Sequence, residues 1–310
     1  MTRLALPTRR RAIFLLLAVA ALALLTGIGW WIGQQTRPQP ASARPALWHL
    51  VQGEREAYLL GTLHVVPPDS RWLGPGITRA VGRSDRLILE VTGLEAERQT
   101  GAVFARLGQA RGLPPVTARL TAEDAERLRV LAARDPRGLH GIDGYKSWAA
   151  ALLVNASAAS RLSLSSDAAP ERQLSRLFAE AGKPVAGLET IAGQLGLFDD
   201  LDETDQRRLL TQSVREAEAA PRLYGQLYAA WATGDLDRIG TQFLAPLAAA
   251  PALRAALVER RNARWAQQLD SELGRAGAVT FIAVGAGHLV GPDSLLAAMT
   301  ARGWQVERLQ

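Results

Sequence analysis

Apolar residues fall into three patterns along this chain. Short apolar runs bounded by turn residues mark strands at Leu47–Val51 and Ala57–Leu60 around Gly53, and at Arg86–Val91, Lys183–Glu189, Val279–Val284 and Trp304–Leu309. Between them lie helical stretches: Gly101–Ala133 with a break at Pro114-Pro115, Tyr145–Arg161, Pro170–Ala181 and Ser294–Arg302. A longer stretch, Asp202 to about Gly274, is broken near Pro221, Gly234, Pro246 and Pro251. Thr121, followed by Glu123 and Asp124, has the make-up of a helix N-cap with acids in the first turn. Strands at both ends with helices between predict an α/β fold, or α+β, with a helical insertion in the middle.

The third pattern is the uncharged run Ala12–Gly33. At 1.5 Å per residue it reaches roughly 33 Å, enough for a bilayer core of about 30 Å. Arg9, Arg10 and Arg11 precede it, and Trp30 and Trp31 stand where an interfacial aromatic belt would lie. The expectation is a basic cytoplasmic tail at 1–11, a transmembrane anchor at 12–33 and an exported C-terminal domain. The alternative is a cleaved signal peptide with Ala41-Ser42-Ala43 as its cleavage site; the length of the run and its distance from that site favour an anchor. Residues 34–45, rich in proline and polar residues, read as a linker, and 46–310 as the exported domain. The domain is thus placed outside the cytoplasm, on the periplasmic side in a cell with two membranes.

Charge supports this division. The formal net charge is +6, and residues 1–45 alone hold six arginines and no acid, so the remainder is neutral. The globular part has no basic excess to recruit phosphates, and no nucleic-acid partner is expected. The chain has no cysteine, which excludes disulfides, thiolate metal sites and a cysteine nucleophile.

The chemistry is announced by an internal echo. Tyr58-Leu59-Leu60-Gly61 leads through Thr62 and Leu63 to His64, and Ile282-Ala283-Val284-Gly285 leads through Ala286 and Gly287 to His288. In each, an apolar strand runs into Gly-x-x-His, and an aspartate (Asp69, Asp293) follows five residues later. Strand–loop–helix–strand twice over predicts two βαβ-like halves in one sheet. Ligands in such sheets bind beyond the carboxyl ends of the strands, where both histidines would lie. Two imidazoles and a carboxylate can hold a divalent metal with a place left for water, and a second carboxylate can act as general base. Glu90 and Glu189 end or nearly end predicted strands, where an acid is costly unless paired or ligated. No H-E-x-x-H is present. His49 and His140 read as loop or filler residues, Asp69 and Asp293 as turn or cap residues, and Glu307 as surface. Trp148, Trp231 and Trp265 read as core, and Arg260-Arg261 as a solvated helix face.

In order, the segments YLLGTLHVVP (58–67), LILE (87–90), HGID (140–143), GKPVAGLET (182–190) with Gln194, WATGD (231–235), Arg261-Asn262, VGAGHLVG (284–291) and GWQVE (303–307) resemble the TraB/GumN family, which includes the membrane-tethered Tiki proteases. The resemblance covers about 47–310. It implies a divalent-metal hydrolase centre (Mn, Co or Zn) held by His64, Glu90 and His288, acting on a peptide or small-molecule substrate. Glu189 would be base or extra ligand, and Arg261 would steady the oxyanion. Pro292 departs from the family pattern, in which a second glycine follows Gly291. Related erythromycin esterase-like and haem-binding ChaN-like proteins imply two alternatives: a metal-independent esterase and a non-catalytic binding protein.

Overall fold

Strand residues alternate between two apolar faces, and this alternation organises the molecule. In a computed structural model, which describes residues 42–310 apart from 94–96, 245, 246, 248, 249 and 274–276, the chain runs as follows. β1 (Leu47–Gln52) and β2 (Arg55–Thr62) form a hairpin. α1 (Pro75–Arg83) leads to β3 (Arg86–Val91). α2 (Glu97–Gly108), α3 (Ala122–Arg134), α4 (Ser147–Ser160) and α5 (Pro170–Glu180) precede β4 (Val185–Glu189). α6 (Ile191–Asp199), α7 (Glu203–Glu216), α8 (Ala220–Ala232) and α9 (Leu236–Leu244) follow. A helical turn, Pro251–Arg254, passes through a π-helical segment, Ala255–Glu259, into α10 (Arg260–Leu273). β5 (Thr280–Gly285), a 3₁₀ turn (Ala286–Leu289), α11 (Leu295–Thr300) and β6 (Gln305–Arg308) complete it.

The six strands form one mixed sheet in the order β4-β3-β5-β2-β1-β6. β4, β3, β5 and β2 are mutually parallel, and β1 is antiparallel to both β2 and β6. Both βαβ-like halves are present, and they interleave. The β2–α1–β3 crossover passes over β5, and the β5–α11–β6 crossover passes over β2 and β1. The two strands that carry Gly-x-x-His are therefore direct neighbours, with Gly61 opposite Val284.

Tyr58, Leu60, Leu87, Leu89, Phe281 and Ala283 face one apolar layer, shared with α1, α5, α8 and the start of α9. Ala57, Leu59, Ile88, Ile282 and Val284 face the other, built by α10 and α11. Burial on both faces is why these strands read as continuous apolar runs. Fully burying a side chain such as Leu59 or Ile282 contributes roughly 1.5–3 kcal/mol. The inserted helices have their own core around Trp148, Phe198 and Leu257. Trp148, Trp231 and Trp265 are all buried.

Ala43 and Pro45 are buried, and the backbone N–H groups of Ala43 and Arg44 donate to Arg71 and Ala232. The end of the segment read as linker thus belongs to the fold. The tail and the apolar run at 1–33 lie outside the described residues; among the described residues no helix is long and apolar enough to cross a membrane.

Candidate functional site

Parallel pairing brings the carboxyl ends of β2, β5, β3 and β4 to one edge of the sheet. His64 follows β2 by two residues, His288 follows β5 by three, Glu90 is the penultimate residue of β3, and Glu189 ends β4. Gly285 measures their convergence. A Cβ placed on it would lie 3.4 Å from Glu90 Oε2, 3.8 Å from His288 Cδ2 and 3.9 Å from His64 Nε2. The three residues therefore surround one point, which the missing side chain of Gly285 leaves open.

Each imidazole is fixed by its Nδ1. His64 Nδ1 lies 2.8 Å from Glu171 Oε1, on the first turn of α5, and Thr62 Oγ1 donates to the same oxygen at 2.5 Å. Burial opposes a charge on His64, but the Glu171 carboxylate overrides it and raises the imidazole to about 9. Glu171 in turn is buried yet held below the usual carboxylate range by His64. Its other oxygen, Oε2, is buried with no hydrogen-bond partner among the described residues.

His288 is buried and takes the opposite state. Its Nδ1–H donates to Asn262 Oδ1 at 2.7 Å, and its Nε2 faces Arg261 Nη1 at 3.1 Å. A guanidinium can only donate, so Nε2 accepts and the ring is neutral. Burial, followed by the charge of Arg261, pushes His288 down to about 3. One imidazole is thus charged at neutral pH and the other is not, a separation typical of acid–base sites.

Arg261 is the hub. It is 2% exposed, although the helix pattern alone assigns Arg260-Arg261 to solvent; Arg260 is exposed, as that pattern requires. Nε donates to Glu189 at 3.2 Å and Nη1 to the Leu257 carbonyl at 3.1 Å as well as to His288; Nη2 donates to Glu90 at 2.5 Å and to Glu189 at 2.9 Å. Every N–H of the guanidinium is used, so none is left over for an oxyanion. Trp265 stacks beside it, 4.5 Å from the guanidinium carbon. Burial disfavours the charge on Arg261, and the two carboxylates more than restore it. Buried charges persist when paired and hydrogen-bonded in this way.

Glu90 accepts from Arg261, from Gln194 Nε2 at 2.7 Å and, through Oε2, from the Gly285 backbone N–H at 3.1 Å. Burial favours its neutral form, but Arg261 holds the carboxyl well below the usual range. Glu189 accepts from Arg261, Arg264 and Trp265 Nε1. It anchors Arg261 and does not line the pocket.

These positions bear on a metal. Nδ1 atoms anchored on oxygen match the way metal-binding histidines are oriented. As placed, however, the donors do not complete a ligand set. Arg261 engages both His288 Nε2 and Glu90, and among the described residues no group of three His, Asp or Glu side chains is arranged to hold an ion. The positive charge that His288 Nε2 and Glu90 meet is the Arg261 guanidinium.

The sequence motifs lead to His64, Glu90, Glu189, Arg261 and His288, and the first-turn acid Glu171 is the residue they miss. His49 pairs with Glu56 at 3.0 Å, on β1 and β2, away from this edge. Glu307 is exposed. Ser294, and not Asp293, caps α11; Asp293 pairs with Arg254 and its carbonyl accepts from Asn262.

Helices of the insertion roof this edge and leave a partly open pocket of about 50 Å³. His64, Glu90, Gln194, Arg261 and His288 form its polar side. The roof is tied to the strand ends: Trp231 Nε1 donates to the Gly61 carbonyl and the Tyr224 hydroxyl to the Val65 carbonyl, each at 2.9 Å.

Comparison with curated proteins finds no match, and neither does comparison with solved structures. The family profile described as TraB/PrgY/gumN matches residues 46–308, nearly all of the described fold and every residue of the site. The chain belongs to the TraB/PrgY/gumN family.

Proposed function

We propose that the chain is a hydrolase of ester or amide bonds in which His64 moves the proton. The observation that carries this reading is the arrangement of His64: Nδ1 fixed on a buried carboxylate, Nε2 turned to the point opened by Gly285. Water adds its oxygen to the acyl carbon and the bond to the leaving group breaks; the His64 imidazolium gives its Nε2 proton to the leaving group and takes the proton released by the water in return. The charged imidazole also faces the carbonyl oxygen as its negative charge develops. Arg261 keeps His288 neutral and Glu90 in place.

A second reading, a metal-dependent hydrolase with Mn, Co or Zn on His64, His288 and Glu90, is favoured by the anchored Nδ1 atoms. It requires Arg261 to release His288 and Glu90. The pocket is smaller than the ~150 Å³ cavity that accepts a benzene ring, which argues against haem. Residues 12–33 would tether the enzyme to the membrane, with its domain exported.

The test is hydrolysis of ester and peptide substrates before and after chelation, with metal content measured alongside. Turnover that survives chelation in metal-free protein and is lost in His64→Ala supports the first reading. Turnover that requires stoichiometric metal supports the second. No turnover under either condition removes both.

A further inference from the structure

We infer that the site selects substrates by a short acyl group, of about two or three carbons. The inference rests on the hydrolase reading and specifies its substrate class.

The rest of the pocket lining includes five side chains with no hydrogen-bonding group: Phe198, Leu227, Ile239, Phe243 and Leu257. These residues come from α6, α8, α9 and the π-helical segment, so they belong to the roof and not to the sheet. All five are at most 6% exposed, so they are closely packed and do not swing away freely. An acyl carbon placed near Gly285 lies beside His64, in a pocket whose remaining side chains are mostly apolar, so the chain it carries packs among them.

Size sets the limit. The space is about 50 Å³, against about 150 Å³ for a cavity that takes benzene. A two- or three-carbon chain fits, and an aromatic ring or a six-carbon chain does not without moving packed side chains. Phe243 is held beside His288, with ring centroids 6.3 Å apart, and packs on the Gly287 backbone, where an added side chain would begin 2.6 Å from its ring. Overfilling a packed pocket of this kind is penalised, and each unaccommodated methylene is worth about tenfold or more in selection.

The experiment is a chain-length series on the full-length protein. The methyl esters of acetate, propionate, butyrate, hexanoate and octanoate, which share one small leaving group, are compared by kcat/KM from acid release, and binding of propionamide, hexanamide and benzamide is measured in parallel. The expected result is a maximum at two or three carbons with a fall of at least about tenfold by six carbons. Leu227→Ala and Phe243→Ala should each move the maximum to longer chains, and propionamide should bind more tightly than the larger amides. A flat or rising series, or tighter binding of hexanamide or benzamide, overturns the inference. Absence of turnover with propionamide still preferred would uphold the selectivity and remove the hydrolase reading. Absence of both would overturn the two together.

Discussion

Gly285 shows how much one absent side chain can mean. Its backbone, at φ −51° and ψ 132°, suits any residue, and an added methyl would meet its neighbours only at 3.4–3.9 Å. Gly285→Ala is therefore expected to keep or slightly raise thermal stability, by up to about 1 kcal/mol, while filling the point around which the site is built. Hydrolysis should fall at least tenfold with an unchanged unfolding midpoint; a variant that folds and works normally would place the chemistry elsewhere. Glu171→Gln addresses the neighbouring residue. Without the carboxylate, His64 should titrate well below its present value of about 9, which a histidine-resolved NMR titration reads directly. Glu171 itself carried no signal in the sequence, because an acid in the first turn of a helix is the ordinary complement to the helix dipole. Arg261 was marked by the family resemblance but not by the helix pattern. It lies in register with the buried Leu253, Leu257, Trp265 and Leu269, but a charged residue in a helix reads by default as solvated.

Among the elements, the strands were the most legible. β3 coincides with the apolar run Arg86–Val91, and the others differ from their runs by a few end residues. Burial on both faces makes such runs continuous and easy to bound. α1 and α6 were not bounded in advance. α1 is short and begins Pro-Gly, and α6 spends glycine at 193 and 196 inside its length, which blurs helical periodicity. The contact between α9 and the second Gly-x-x-His loop offers a test of how elements fit. A Gly287 side chain would start 2.6 Å from the Phe243 ring, so Gly287→Ala should cost about 1–3 kcal/mol. Combined with Phe243→Ala, it should cost less than the two single changes together, with a coupling of about 0.5–3 kcal/mol in a double-mutant cycle of denaturation midpoints. Strict additivity would mean that α9 does not press on the loop.

At the scale of the molecule, the two histidines act on stability in opposite directions. His64 is raised above its ordinary 6.5, so its contribution is complete below 6.5 and is lost as pH rises through about 9. His288 is depressed to about 3, so the neutral ring contributes above 6.5 and that contribution is lost as pH falls toward 3. Their joint contribution should peak near pH 6.5. Urea midpoints followed against pH should show His64→Gln flattening the alkaline limb and His288→Gln the acid limb; unchanged limbs in both would refute the assigned states. The overall architecture was readable because the Gly-x-x-His echo marks both halves, but their interleaving was not, since strand order is decided by packing between segments far apart in sequence. That interleaving has a consequence for biogenesis. β5 lies between β2 and β3, yet it is encoded after nearly all the rest. Until Thr280–Gly285 has been synthesised, β2 and β3 each present an unpaired apolar edge, the kind of template on which chains aggregate. The sheet closes late, through contacts of long sequence separation, and so belongs to the slow-folding class. A nascent chain therefore needs protection from its neighbours until Thr280–Gly285 has emerged.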